Sequence, residues 1–213
     1  MGMIKTLIAI PCMSMVHTDF MISFTDLDKP DGTRYMPAKN TLIYDARNGL
    51  AANAITNEFD RVLWLDSDMK FYPDLLTRLS ADMDEGREFV TGLYFGRKLP
   101  MRPVIYKTLE WGITEEGKVH HKTERMMDYP HDDIFEIQGS GFGCVMTSTK
   151  LLREVWEKFG SPFQPLLYLG EDLSFCYRVK QLGVLMYCDS RVKAGHVGEF
   201  VYDEASYITQ EDL

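Results

Sequence analysis

Through its first hundred residues the chain alternates short, wholly apolar runs with longer stretches whose apolar side chains recur every three to four positions. Thr6-Leu7-Ile8-Ala9-Ile10 reads as a buried strand stopped by Pro11, Arg61–Leu65 as a second strand and Phe89–Phe95 as a third. Residues 40–59 carry Leu42, Ala46, Leu50, Ala54 and Ile55 at helical spacing. Tyr72–Met83 does the same with Leu75, Leu76, Leu79 and Met83, and Pro73 suits its first turn. Strand–helix–strand–helix–strand is the order that an α/β chain needs to build a mostly parallel sheet covered by helices. Residues 11–40 have no clear periodicity and are expected to form a long functional loop over the sheet edge.

The second half changes character. Residues 99–138 mix short strand-like pieces such as Val104-Ile105-Tyr106 with turn residues and charge clusters, a β-rich or loop-rich insertion. Gly143–Thr147 resumes a strand, and Thr149 is the expected cap of a helix over 150–159 that Gly160 ends. Glu171–Leu182 is a further helix stopped by Gly183, Val184–Cys188 a last strand, and residues 199–213 an acidic, polar tail. At 213 residues the default is a single domain, large enough to bury a core without disulfides or a structural metal.

Charge narrows the function. The net charge of −9 argues against a nucleic-acid partner and against attraction to anionic lipid. A polyanionic ligand would need local positive charge or a recruited cation. The four cysteines, Cys12, Cys144, Cys176 and Cys188, lack CxxC spacing and read as free, mostly buried thiols. No apolar run is long enough to cross a bilayer and no signal-peptide pattern opens the chain, so the expectation is no transmembrane segment and a cytoplasmic location.

The segment richest in chemistry is Val62-Leu63-Trp64-Leu65-Asp66-Ser67-Asp68, a buried strand running straight into two aspartates spaced i, i+2. Carboxyl ends of parallel strands open onto the ligand crevice. Two oxygen ligands there suit Mg2+ or Mn2+, completed by substrate phosphates. The pattern alone reads equally as a strand end followed by a helix cap.

Leu63–Asp68 followed by Met69-Lys70-Phe71-Tyr72-Pro73 resembles the DxD segment of GT-A-fold glycosyltransferases, in particular the family 2-like group. That resemblance implies a single GT-A domain with a Rossmann-like sheet, split into a nucleotide-donor half (1–98), an acceptor half (99–198) and a tail (199–213). It implies Asp66 and Asp68 as ligands of Mn2+ or Mg2+. Gly170-Glu171-Asp172 is similar to the family's ED segment, which implies Asp172 as the base that deprotonates the acceptor and Glu171 as an acceptor contact or support. A carboxylate at a helix N-terminus is favoured in its ionised form, as a base requires; an acidic first turn is also common on any helix.

Asp45-Ala46-Arg47-Asn48 looks like the family's arginine-bearing helix facing the nucleotide, and Gly195-His196-Val197-Gly198 like the site of its late metal-binding histidine. The resemblance therefore implies donor contacts from Pro11, Arg47, Asn48, Asp66, Ser67 and Gly141, and a third metal ligand in His196. Gly139–Gly143 resembles the family's glycine-containing strand beside the donor sugar and lacks the context of a dinucleotide loop. Arg97, Lys98 and Arg102 form the densest basic cluster, read as a phosphate or acidic-acceptor contact or as a solvated face. Trp111, Tyr94 and Phe95 read as core or as sugar-stacking rings. His17, His120, His121 and His131 carry no metal spacing.

The function these features imply is metal-dependent transfer of a sugar from a UDP- or GDP-sugar to a hydroxyl of a glycan, lipid-linked or protein acceptor, with inversion. Two alternatives stand beside it. A nucleotidyltransferase of related fold would want a Gly-rich basic loop where the chain has Pro11–His17; a non-catalytic nucleotide-sugar-binding module would bind without turnover.

Overall fold

The structure is a computed structural model that describes residues 2–198, 201–204 and 207. In chain order its elements are β1 (Thr6–Cys12), α1 (Thr18–Asp26), β2 (Thr33–Lys39), α2 (Ile43–Thr56), β3 (Arg61–Leu65), β4 (Met69–Phe71), α3 (Leu75–Asp84) and β5 (Phe89–Leu93). There follow β6 (Ile105–Ile113), β7 (Val119–Arg125), β8 (Ile134–Ile137), β9 (Gly139–Ser140), β10 (Cys144–Ser148), α4 (Thr149–Phe159), α5 (Glu171–Gln181), β11 (Met186–Val197) and β12 (Val201–Tyr202).

Among the described residues, seven strands lie side by side in the order β12-β11-β5-β10-β3-β1-β2, and β4 and β8 attach to β11. The sheet is mixed, which corrects the expectation of a mostly parallel one. β1 runs parallel to β2 and β3, and β11 to β5, but β10 sits between β3 and β5 antiparallel to both. The reason lies in the connection. After β5 the chain makes no helical crossover; it passes through the β6–β7 hairpin and β8–β9, and so enters β10 from the opposite end of the sheet.

Strand alternation divides the core between two faces. Leu7 and Ala9 of β1 with Val62 and Trp64 of β3 join Leu50, Ala51 and Ala54 of α2, Leu151 and Leu152 of α4, and Phe175 of α5. Ile8, Ile10, Leu63 and Leu65 face the other way, onto Phe20 of α1 and Leu75, Leu76, Leu79 and Met83 of α3. Trp64 Nε1 donates to Thr147 Oγ1 at 3.0 Å, so the one polar atom of this buried ring is satisfied inside the sheet.

Several sequence-based boundaries move. Residues 11–40 are not a structureless loop. They contain α1, capped where Asp19 N donates to His17 Nδ1, and β2, an edge strand. β1 continues through Pro11 to Cys12, because β3 pairs with it only as far as Ala9 and leaves one side open for a residue without an N–H. Ser148, not Thr149, caps α4, its Oγ accepting from Leu151 N at 2.9 Å. The last expected strand begins at Met186 and extends to Val197. Of the expected tail only 201–204 and 207 are described, and Val201–Tyr202 pairs with β11. All four cysteines are free thiols. Among the described residues no helix is long and apolar enough to cross a membrane.

Candidate active site

Asp66, Ser67 and Asp68 follow β3 directly, and a short reversal turns the chain into β4 rather than into a helix. Met69 N donates to the Asp66 carbonyl, Asp66 N to that of Gly143, and Val197 N to that of Asp68. These bonds tie the turn to the start of β10 and the end of β11. The aspartates therefore line a cleft of about 320 Å³ together with Pro11, Thr41, Ala46, Arg97 and His196.

Arg47, on α2, lies beneath this cleft and is 2% exposed. Its Nη2 donates to Asp66 Oδ1 at 2.7 Å, and Nη1 lies 3.4 Å from Glu171 Oε1 on α5. The guanidinium also covers the Phe142 ring at 5.2 Å. Burial disfavours the charge, but Asp66, Glu171 and Asp172 around it outweigh burial and hold its pKa above the ordinary value. Nε and Nη1 nevertheless have no hydrogen-bond partner among the described residues. Asp66 is raised by its own burial, which Arg47 opposes.

Asp68 takes the opposite direction. Burial would raise it, but His196 and Arg97 hold its carboxyl below the usual range. Arg97 Nη1 stands 2.7 Å from Asp68 Oδ2, and His196 Nε2 is 3.5 Å from the same oxygen. His196 Nδ1 is 3.1 Å from the Phe95 carbonyl, an acceptor only, so Nδ1 carries a hydrogen and the other ring nitrogen, Nε2, is the one turned to Asp68. A backbone carbonyl behind an imidazole is the usual support of a metal-binding histidine.

Among the described residues no three His, Cys, Asp or Glu side chains are close enough to hold an ion by themselves. What exists is an oxygen–nitrogen pair, Asp68 and His196, with Asp66 alongside and engaged by Arg47. Such a donor set fits a divalent ion completed by phosphate oxygens, and the imidazole favours Mn2+ over Mg2+.

Asp172 begins α5 beside Glu171. Leu173 N donates to its Oδ1 at 2.7 Å, yet burial first and the Glu171 charge second push its carboxyl up to about 6. The helix terminus was expected to favour the ionised form; desolvation works against it here and leaves the group a weaker acid than an ordinary aspartate. Gly170 leaves the carboxylate its room, since a Cβ there would lie 2.8 Å from Asp172 Oδ1.

The cleft brings together Pro11, Asp66, Ser67, Asp68 and His196, and Arg47 beneath it reaches both Asp66 and Glu171. Asn48, Gly141, Glu171 and Asp172 do not line it. Asn48 Oδ1 accepts from Phe163 N at 2.9 Å and pins a loop. A Cβ at Gly141 would lie 2.2 Å from Tyr94 Oη. Tyr94 is the residue whose part in the site the sequence hid. It is buried, accepts from Gly143 N at 3.0 Å and stands edge-on to His196. Burial and the neighbouring carboxylate Asp66 keep its phenol protonated. Arg97 was visible only as part of a basic cluster, and nothing in its spacing pointed to Asp68. Trp111, half-buried, donates its Nε1 to the Leu167 carbonyl at 2.9 Å.

No family model and no curated protein matches the chain. Solved structures do. The crystal structure of A197 from STIV aligns with TM-score 0.65 at 20% identity over 92% of this chain and 86% of that one. The crystal structure of GalNAc-T7 with UDP, GalNAc and Mn2+ aligns with TM-score 0.61 at 11% identity over 92% of this chain.

The fold is GT-A-like. This chain covers 44% of the GalNAc-T7 chain, so it matches less than half of that protein. At these identities the likeness concerns the GT-A-like fold alone.

Proposed function

We propose that the chain is a metal-dependent glycosyltransferase, family 2-like, that moves a sugar from a nucleotide-diphospho-sugar onto an acceptor hydroxyl with inversion. The observation that carries this reading is Arg47. One buried guanidinium contacts Asp66 of the DxD turn and Glu171 of the ED segment, more than a hundred residues apart in sequence, so the two acidic motifs form one site. The fold shared with GalNAc-T7, whose structure is described with UDP, GalNAc and Mn2+, supports it. The free cysteines suit a reducing compartment, and we take the cytoplasm as the location.

In this mechanism Asp68, His196 and Asp66 would hold Mn2+ or Mg2+, which supplies charge neutralisation for the departing nucleoside diphosphate. Pro11 and Ala46 border the nucleotide, and Arg47 keeps Asp66 in place. Asp172 accepts the proton of the acceptor hydroxyl as its oxygen bonds to the anomeric carbon. The carbon–oxygen bond to the diphosphate breaks, and its electron pair leaves with that group.

The test is turnover of a panel of UDP- and GDP-sugars by the wild type and by Asp172→Asn. The variant should retain donor binding and lose about 10²- to 10⁴-fold in transfer rate, the usual contribution of a positioned base. Near wild-type transfer would remove Asp172 from that role.

A further inference from the structure

Beside the cleft that holds Asp66 and Asp68 lies a second, of about 680 Å³, lined by Arg97, Lys98, Arg102, Arg125 and His196. Arg97 and His196 belong to both, so the two are continuous, whereas Lys98, Arg102 and Arg125 line only the second. Three elements build it. The segment after β5 supplies three of the cations, the end of β7 supplies Arg125, and β11 supplies the histidine. In a chain of net charge −9 this is a local inversion of sign.

Arg97 is paired with Asp68, but the three outer cations are not consumed by internal ion pairs. Among the described residues the side chains of Lys98 and Arg102 make no hydrogen bond or ion pair, the Arg102 carbonyl alone accepting from Gly96 N. Arg125 is set in advance, since its Nη1 donates to the Pro103 carbonyl at 2.7 Å and its guanidinium lies over the Tyr106 ring at 5.2 Å. Both of its contacts are to neutral groups, which leaves its charge uncompensated. Guanidinium forks and an ammonium in a concave wall are the donors that phosphate and carboxylate select.

We propose that this basic cleft binds an anionic group, phosphate or carboxylate, on the acceptor. The inference rests on the transferase reading above. An acceptor approaching Asp66, Asp68, Glu171 and Asp172 meets carboxylates, and a charged one needs a compensating wall to come near. Arg97 and His196, shared by both clefts, join this wall to the one that carries Asp68. Tyr106, under Arg125, has its phenol raised by burial and, against the opposing Arg125, by the Asp172 charge. The donor diphosphate is the weaker occupant, because the three outer cations lie outside the cleft of the carboxylate pair.

The experiment titrates glucose 6-phosphate, glucuronate and uncharged glucose into the full chain at low ionic strength, with UDP or GDP and Mn2+ present. The wild type should bind at least one charged sugar about tenfold or more tightly than glucose, and added salt should weaken the binding. Phosphate preference and carboxylate preference identify the acceptor group. Lys98→Glu with Arg102→Glu should lose that preference while keeping the Mn2+-dependent nucleotide response. Lys98→Gln with Arg102→Gln serves if the charge reversal does not fold. Three results would overturn the proposal: no preference for either charged sugar, an unchanged preference in the variant, or loss of the nucleotide response in the variant, which would assign the cations to the donor. Failure of the transferase reading looks different, because then no nucleoside diphosphate responds to Mn2+ in either protein.

Discussion

A guanidinium with 2% of its surface exposed, set between Asp66 and Glu171, holds together charges that would otherwise face one another across the floor of the site. Replacing it with Met leaves both carboxylates without their partner. Arg47→Met should destabilise the protein by about 2–3 kcal/mol, below the roughly 3–5 of a fully buried broken pair because Asp66 and Glu171 retain some solvent. Urea midpoints of the two proteins check this. Asp172 yields a second expectation. A base must be ionised, and this carboxyl titrates at about 6, so transfer should rise with pH through 6 and level off above 7. A rate already flat from pH 5 upward would contradict it. At this scale the sequence was partly legible. Asp66, Asp68, Arg47 and His196 were found by motif, and they share a cleft and its floor. Tyr94, Arg97 and Phe142 were not, because each reaches the site by tertiary contact from an apolar run or a charge cluster, where local spacing carries no signal.

Elements were legible where burial made them periodic. β3 was read to its ends, and α2, α3, α4 and α5 to within a few residues, because each presents a continuous apolar strip to the sheet. α1 buries only Phe20 and Ser23, and β2 is an edge strand with Arg34, Pro37 and Lys39, so neither shows the core pattern. The far half of β11 was missed because its apolar run stops at Asp189, Ser190 and Arg191. That interruption joins two elements. Asp82 of α3 and Asp189 of β11 lie on the same guanidinium, Arg191 donating to both. Burial, with Asp189 adding to it, raises Asp82 to about 7, while Arg191 keeps Asp189 low despite burial. The folded state therefore holds a proton that the unfolded chain releases near pH 4. Stability from this contact is full below pH 4 and lost as the pH rises through 7. Asp82→Asn should flatten that part of the stability–pH curve, measured by denaturant unfolding between pH 5 and 8. An unchanged slope would show that the two carboxyls do not share a proton.

For the whole molecule, strand–helix alternation was enough to anticipate an α/β domain, and not enough to orient the sheet. Direction depends on which end a strand enters, and β10 is antiparallel because residues 99–138 carry the chain across the open end of the sheet before it returns. The same excursion adds a cleft framed by cations beside the one framed by carboxylates. On the proposed function, the acidic cleft becomes a nucleotide site only with a divalent ion in it. A thermal-shift panel of nucleoside diphosphates with and without Mn2+ tests this directly, since ligand bound to the native state alone raises apparent stability by mass action. One nucleoside diphosphate should shift the transition with Mn2+ present and not in its absence, and Asp68→Asn should abolish the shift. An equal shift without the ion, or one that survives in Asp68→Asn, would contradict it.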